Sequence, residues 1–314
     1  VSEDAREVKI VSYSEIAAAR QCPLKHQLAY IERWRQPEPA GGARWLGVRW
    51  HRVMQVHYGK IAEIQTRWDG AAPWLLGERG KVRQFDVDER AEINKAVIDE
   101  LTTQPDDDTL NTILWMYRNH LIVRGLQERW RVHHVEWDPT FALPDLGGKY
   151  RYQLKTRIDL VVTDIITGGV WLIDHKTGAP QGAPRNRLLE LDDQFGLYTW
   201  VLAKNLIPVL GSRYQWTSTY QHKTGKHDPA EYIEDAPIDR TPGELHAIAV
   251  DAVKTAMTAY EWHADWRDAP SAPDPMQCKR MCDYANAHIA ARRGTVPLRA
   301  YLTDTGYQQD PTRH

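Results

Sequence analysis

No stretch of this 314-residue sequence approaches the roughly 18 apolar residues of a membrane-spanning helix. Its start, "VSEDAREVKIVSYSE", is charged and holds nothing like the apolar core of a secretory signal, so a cytoplasmic protein away from any membrane is expected. Charge of one sign is missing too. Lys and Arg number 40 against 42 Asp and Glu, a net charge of −2, so any nucleic-acid binding must come from a local basic patch. Three cysteines are few and odd in number, which argues against a disulfide framework. Internal repeats and long low-complexity segments are absent. So is a GxxxxGK[ST] loop, since "DHKTG" lacks the upstream glycine; ATP hydrolysis and active unwinding are excluded.

The composition that remains is ordinary for a globular protein, 42% hydrophobic and 26% charged. "SYSEIAAARQCPLKHQLAYIERW" reads as a helix with Ser12 and Glu15 spaced as a capping box, kinked or broken at Pro23. A linker, "QPEPAGGA", precedes a helix through "RWLGVRWHRVMQVHYGKIAEI". Residues 86–102 and 110–129 carry helical periodicity. "RVHHVEWDPTFAL" reads as a strand. "YRYQLKTRIDLVV", the turn "TDIITGG" and "VWLIDHKT" then read as a β-hairpin. "LLELDDQFGLYTWVLAKN" is a helix, "SRYQWTSTYQHKT" a strand, and Thr241, Pro242 and Glu244 open a helix to about Trp266. The fold class expected is α/β, or α+β if the strands run mainly antiparallel.

The hairpin ends on charge. Successive strand residues face opposite sides, so Leu172, Asp174 and Lys176 share one face while Trp171, Ile173, His175 and Thr177 share the other. Folding the hairpin symmetrically about "TDIITGG" places Asp159 opposite Asp174. Two carboxylates about 4.5–5.5 Å apart at Cβ repel unless a cation sits between them. A hard divalent ion such as Mg²⁺ resolves the conflict and can act on a phosphodiester. Lys176 on the same face would then orient water or stabilise charge in the transition state. A surface strand with an Asp174–Lys176 ion pair fits the D-x-K spacing equally well. Gln194 and Tyr198 stand at i and i+4 on one helix face. His51 lies one turn after Gly47 and is either a core histidine or a third ligand beside the two carboxylates.

Taken in order, Gly47-x3-His51, the aspartate of "RIDLV", "IDHKTG" and Gln194-x3-Tyr198 resemble the motifs of RecB-like nucleases of the PD-(D/E)XK superfamily. The likeness extends to its branch of small CRISPR-associated and phage exonucleases, from about Ser12 to His288. The resemblance implies a restriction-endonuclease-like mixed sheet flanked by helices, within a single domain over 1–314. It implies metal ligation by His51, Asp159, Asp174 and the backbone carbonyl of His175. Lys176 would be the catalytic lysine, supported by Gln194 and Tyr198. Thr156, with Arg157 ahead of Ile158 and Asp159, departs from the family, which often has a glycine there. Residues 52–129 are expected to form a helical lobe and residues 303–314 a flexible tail.

"RQCPLKHQLAY" and "PMQCKRMCDYANAH" resemble the family's N-terminal Cys-Pro helix and C-terminal cysteine cluster. In iron–sulfur members these bind a [4Fe–4S] cluster that clips the chain ends together, here 12–35 and 268–290. Cys22, Cys278 and Cys282 match three ligand positions, and His288 stands where the fourth cysteine is expected. A three-cysteine, one-histidine cluster, a Cys₃His zinc site and a site without metal all remain open.

Thirteen tryptophans are many. Most belong in a core, but Trp45 and Trp50 beside His51 are candidates for stacking on bases. Arg185 and Arg187 are candidates for phosphate contacts. The expected activity is a Mg²⁺- or Mn²⁺-dependent DNA exonuclease acting on free ends, in recombination or DNA processing, with a strand-annealing or recombination protein as partner. The alternatives are an endonuclease or CRISPR spacer-processing nuclease, and a non-catalytic, metal-stapled DNA-binding module.

Overall fold

The computed structural model describes residues 5–36, 43–69, 75–76, 81–103, 107–178, 192–205, 207, 209–220, 228–261, 278 and 282–310. It is a mixed α/β structure in which the chain forms two compact units. One is built from 1–39, 139–156 and 246–314, the other from 40–138 and 157–245. Among the described residues no helix is long and apolar enough to cross a membrane.

The second unit holds the larger sheet. Helix α3 (Ala43–Asp69) precedes a small hairpin of β3 (Leu75–Leu76) and β4 (Lys81–Val82). Helices α4 (Val87–Thr102) and α5 (Asp107–Arg124) follow. Then come strands β5 (Trp130–Trp137), β8 (Ile158–Asp164) and β9 (Val170–Gly178), helix α6 (Asp193–Lys204), and strands β10 (Val209–Ser218) and β11 (Ile233–Ile238). The strand order is β11-β10-β9-β8-β5, with β9 and β10 parallel and the other pairs antiparallel.

Residues of α3 at helical spacing, Trp50, Val53, Met54, Tyr58, Ile61, Ile64 and Trp68, are all buried. They share one core with Ile93 and Val97 of α4, Ile113 and Met116 of α5, and Leu160, Val162 and Ile173 of the sheet. The helices of the stretch 52–129 thus share their core with the strands. The β8–β9 register pairs Leu160 with Ile173, Val161 with Leu172, Val162 with Trp171 and Thr163 with Val170, the symmetric hairpin read from the sequence.

In the first unit, β1 (Val8–Ser12), β7 (Arg151–Lys155) and β6 (Thr140–Ala142) form a sheet in the order β1-β7-β6. The stretch "YRYQLKTRIDLVV" is thus two strands in two sheets, not one hairpin arm. The break falls at Thr156, whose backbone N–H and hydroxyl both donate to the Pro139 carbonyl and turn the chain away.

Helix α1 (Tyr13–Gln21) ends at an extended Cys22, and α2 (Pro23–His26) restarts with Pro23 at its first position. The π-helical turn Gln27–Ile31 and strand β2 (Trp34–Arg35) follow. Ser12 caps α1, accepting from the Glu15 N–H, but the capping box is not reciprocal. The Glu15 carboxylate is drawn inward instead, 3.0 Å from His26 Nε2 and accepting from the Tyr260 hydroxyl at 2.9 Å. Helix α7 (Pro242–Glu261) does form its box between Thr241 and Glu244. Helices α8 (Ala285–Arg292) and α9 (Leu298–Asp304) close the unit. The expected tail from 303 instead carries β12 (Gln308–Gln309), which pairs with β2, and Asp310, whose N–H bonds the Arg33 carbonyl.

Candidate active site

Every charged residue of the site comes from one unit. The apolar stripe of α3 fixes the helix against the sheet and leaves His51 beside it, with 31% of its side chain exposed. Strand β8 is buried along nearly its whole length, as suits a strand paired on both sides; of its two carboxylates Asp164 pairs with Arg129 at the far end, and Asp159 faces the site. Its Oδ2 accepts from the His175 backbone N–H at 2.7 Å, so the side chain takes over pairing where the ladder between β8 and β9 ends. Asp159 and Asp174 stand one step beyond the Leu160–Ile173 pair, side by side as the symmetric register requires.

Strand β9 keeps its alternation. Asp174 is buried, and Lys176 donates to its Oδ1 at 2.9 Å while lying 2.7 Å from Oδ2. Both carboxylate oxygens of Asp174 thus face the one ammonium. From α6, Gln194 Nε2 reaches Oδ1 at 3.5 Å. Tyr198, one turn on, is buried, and its hydroxyl is hydrogen-bonded by the Arg157 backbone and by Gln194. On the opposite face of β9, the His175 ring stacks on Tyr58 with centroids 5.5 Å apart.

Strand β5 adds a residue that the motifs do not point to. Glu136 Oε1 and Asp159 Oδ2 each lie 3.5 Å from His51 Nδ1, and Arg157 Nε donates to Glu136 Oε2 at 2.9 Å. One ligand atom from each of His51, Glu136 and Asp159 falls within 4.8 Å of the others. Glu136 has φ of 46°, a left-handed conformation that costs a non-glycine residue about 1–3 kcal/mol. A strand read by alternation gives no warning of such a residue. The available signal was a carboxylate in "HHVEW" one strand away from "RIDLV".

The electrostatics match a site short of positive charge. Burial pushes the Asp174 carboxyl up to about 6; Lys176 opposes the shift and the Asp159 charge adds to it. Burial also disfavours ionised Asp159, but the hydrogen bond and charge of His51 outweigh it and hold that carboxyl low. Burial likewise disfavours protonated His51, and Asp159 with Glu136 overcome it, raising the imidazole to about 10. Lys176 is held as the ammonium, since Asp174 and Asp159 more than offset its desolvation. Burial raises the Tyr198 hydroxyl to about 12, so it stays protonated. Carboxylates and an imidazole with ligand atoms this close form a set that a divalent cation satisfies, and oxygen-rich donors suit Mg²⁺ or Mn²⁺.

A model of the PD-(D/E)XK nuclease superfamily matches residues 10–287. The chain belongs to this superfamily. Thirteen chains of solved structure match this PD-(D/E)XK nuclease. SSO0001 is 13% identical over 64% of the nuclease and 77% of its own chain, with a TM-score of 0.31. A Eubacterium rectale protein bearing the name "Putative exonuclease" is 11% identical over 87% and 90%, with a TM-score of 0.38. Both scores are too low to carry an argument. No curated protein matches the chain.

The remaining residues of the nuclease fare unevenly. Trp50 is not a stacking platform: it is 1% exposed, because it sits on the apolar stripe of α3 facing the core. Trp45, one turn earlier, is half-buried. Arg185 and Arg187 lie outside the described residues. In the other unit, Cys22 is buried while Cys278, Cys282 and His288 are half-buried. Burial raises the Cys282 thiol, against a hydrogen bond from the Tyr284 backbone and the charge of Lys25, with Cys22 and Cys278 adding to the rise. Burial and then Arg292 lower His288, which lies in α8.

Proposed function

We propose that this PD-(D/E)XK nuclease is a divalent-metal-dependent deoxyribonuclease that degrades DNA from free ends, using Mg²⁺ or Mn²⁺. The observation that carries the reading is the convergence of His51, Glu136 and Asp159 beside the Asp174–Lys176 pair. His51, Asp159 and Asp174 would hold the cation, with Glu136 joining them and the His175 carbonyl completing the set. When bound, such a cation supplies Lewis-acid polarisation of the phosphate and a water of lowered pKa. Lys176, kept protonated between two carboxylates, stabilises charge that develops on the phosphate and orients the attacking water. Gln194 steadies the Asp174 carboxylate, and Tyr198 fixes Gln194 in turn.

Cys22, Cys278, Cys282 and His288 are proposed to hold a [4Fe–4S] cluster, with zinc as the competitor. A tetrahedral zinc site spaces its sulfurs roughly 3.8 Å apart, from Zn–S bonds of about 2.3 Å. Among the described residues, His51, Glu136 and Asp159 are the one group of three or more metal-ligating residues gathered within 4.8 Å. The cysteines and His288 are not in that group, and the choice of a cluster over zinc rests on the resemblance of the two cysteine motifs. Either metal would close the long loop from residue 22 to 278. A brown protein with broad visible absorption and stoichiometric iron supports the cluster; a colourless one with stoichiometric zinc overturns it.

The deciding test of the activity is digestion of end-labelled linear and circular DNA, single- and double-stranded, with Mg²⁺, Mn²⁺ or EDTA, beside Lys176→Ala. Metal-dependent loss of linear DNA alone, absent in the variant, supports the proposal. Cleaved circles point to an endonuclease. DNA retained in a gel but cut under no condition points to a binding module.

A further inference from the structure

Strand β5 carries a second consequence of its kink. In a regular strand, residues three apart point to opposite faces and cannot meet. His134 and Trp137 are three apart, yet their rings stack with centroids 4.2 Å apart and planes 12° from parallel. The residue between them that breaks alternation is Glu136, at φ 46°. One left-handed residue therefore does two things: it aims a carboxylate at His51, and it brings two aromatic rings onto one side of the strand.

The pair adjoins the candidate ligands in the strand ladder. Both rings are half-buried, not part of the core, and among the described residues β5 is an edge strand of its sheet. Trp137 pairs with Ile158, the residue directly before Asp159. Beside it, Arg157 holds Glu136 through Nε while 74% of its side chain is exposed, leaving a guanidinium open to solvent next to the candidate ligands. Aromatic faces take up any nucleobase at about 1–3 kcal/mol per stacked base, without regard to sequence.

Resting on the nuclease reading above, we propose that Trp137, backed by His134, stacks on a nucleobase of the DNA strand next to the scissile phosphate, and that Arg157 contacts a phosphate of the same strand. The shelf positions DNA by one base whatever its identity, as an enzyme degrading arbitrary sequence requires.

The test uses single-stranded oligonucleotides carrying terminal 2-aminopurine, bound in EDTA to wild type, Trp137→Ala and Trp137→Phe. A second set with abasic residues at that end is used for cleavage with Mn²⁺. Wild type is expected to quench the fluorophore, Trp137→Ala to lose the quench and bind about tenfold more weakly, and Trp137→Phe to retain most of both. Removing the base should raise the wild-type KM about tenfold and leave that of Trp137→Ala unchanged. Thermal melts show whether each variant folds, and the phenylalanine variant decides if the alanine one does not. Cleavage by wild type without quenching, quenching equal in Trp137→Ala, or losses from base and ring removal that multiply would each overturn the shelf and leave the nuclease standing. Quenching without cleavage would keep the shelf and overturn the nuclease. Absence of DNA binding by wild type would overturn both.

Discussion

Asp159 sits between two strands that present charge in different ways. On one side β9 keeps a strict alternation, with Asp174 and Lys176 on one face and His175 on the other against Tyr58. On the other side β5 abandons alternation at Glu136, whose φ of 46° turns its carboxylate to His51. β9 lies inside the sheet, while β5 is one of its two edge strands among the described residues; helix α3 packs against both. An inner strand is held to the pleat by partners on both sides. An edge strand is free to kink, and a kink there can aim a side chain that the pleat would point elsewhere.

The largest expected effect lies on the regular strand. Lys176→Ala should lower cleavage by about 10²–10³-fold, the usual cost of removing one preorganised donor to transition-state charge. End-labelled DNA digestion measures it, and wild-type activity in the variant would show that β9 carries no catalytic group. The layer behind β9 offers a second test. His57, on the same helix as His51, is fully buried and held by burial down to about 3, hence neutral in the folded protein. A histidine so depressed contributes stability that is complete above its unfolded value of about 6.5 and is lost as pH falls toward its folded value. The unfolding free energy from urea titrations should therefore fall between pH 6.5 and about 3, by up to about 1.4 kcal/mol per pH unit for this one proton. The sheet's backing would fail in acid. His57→Phe should flatten the curve, and an unchanged slope would show that other groups govern acid unfolding.

The same contrast explains what could be read from the sequence. On β9 the parity of Asp174 and Lys176, and the pairing that sets Asp159 beside Asp174, followed from a period of two and a turn about which the β8–β9 register is symmetric. Helix α3 announced itself by its stripe, but the stripe also explains why Trp50 was misjudged: a residue on the core-facing line is buried even when its neighbour is functional. The passage of the chain from β7 to β8 into a different sheet was not legible, since it rests on Thr156 bonding a carbonyl 17 positions away. Glu136 was hidden for the reason already given; composition and periodicity carry no record of one positive φ.

The smallest expected effect is the most discriminating, because it separates the carboxylate of Glu136 from its backbone. Glu136→Ala and Glu136→Gly both remove the carboxylate, so both should weaken Mn²⁺ binding by about 10–100-fold, measured by calorimetry. Alanine keeps the penalty of a left-handed residue, whereas glycine adopts φ of 46° freely. If the kink is stored strain, the glycine variant should be more stable than the alanine variant by about 1 kcal/mol in urea unfolding, less the extra chain entropy that glycine loses on folding. A glycine variant less stable than the alanine variant by about 0.5–1 kcal/mol, the ordinary cost of glycine, would mean that the strand relaxes once the carboxylate is gone. In that case the attraction of His51 and Arg157 for Glu136 makes the kink, and the stacking of His134 on Trp137 should weaken in both variants.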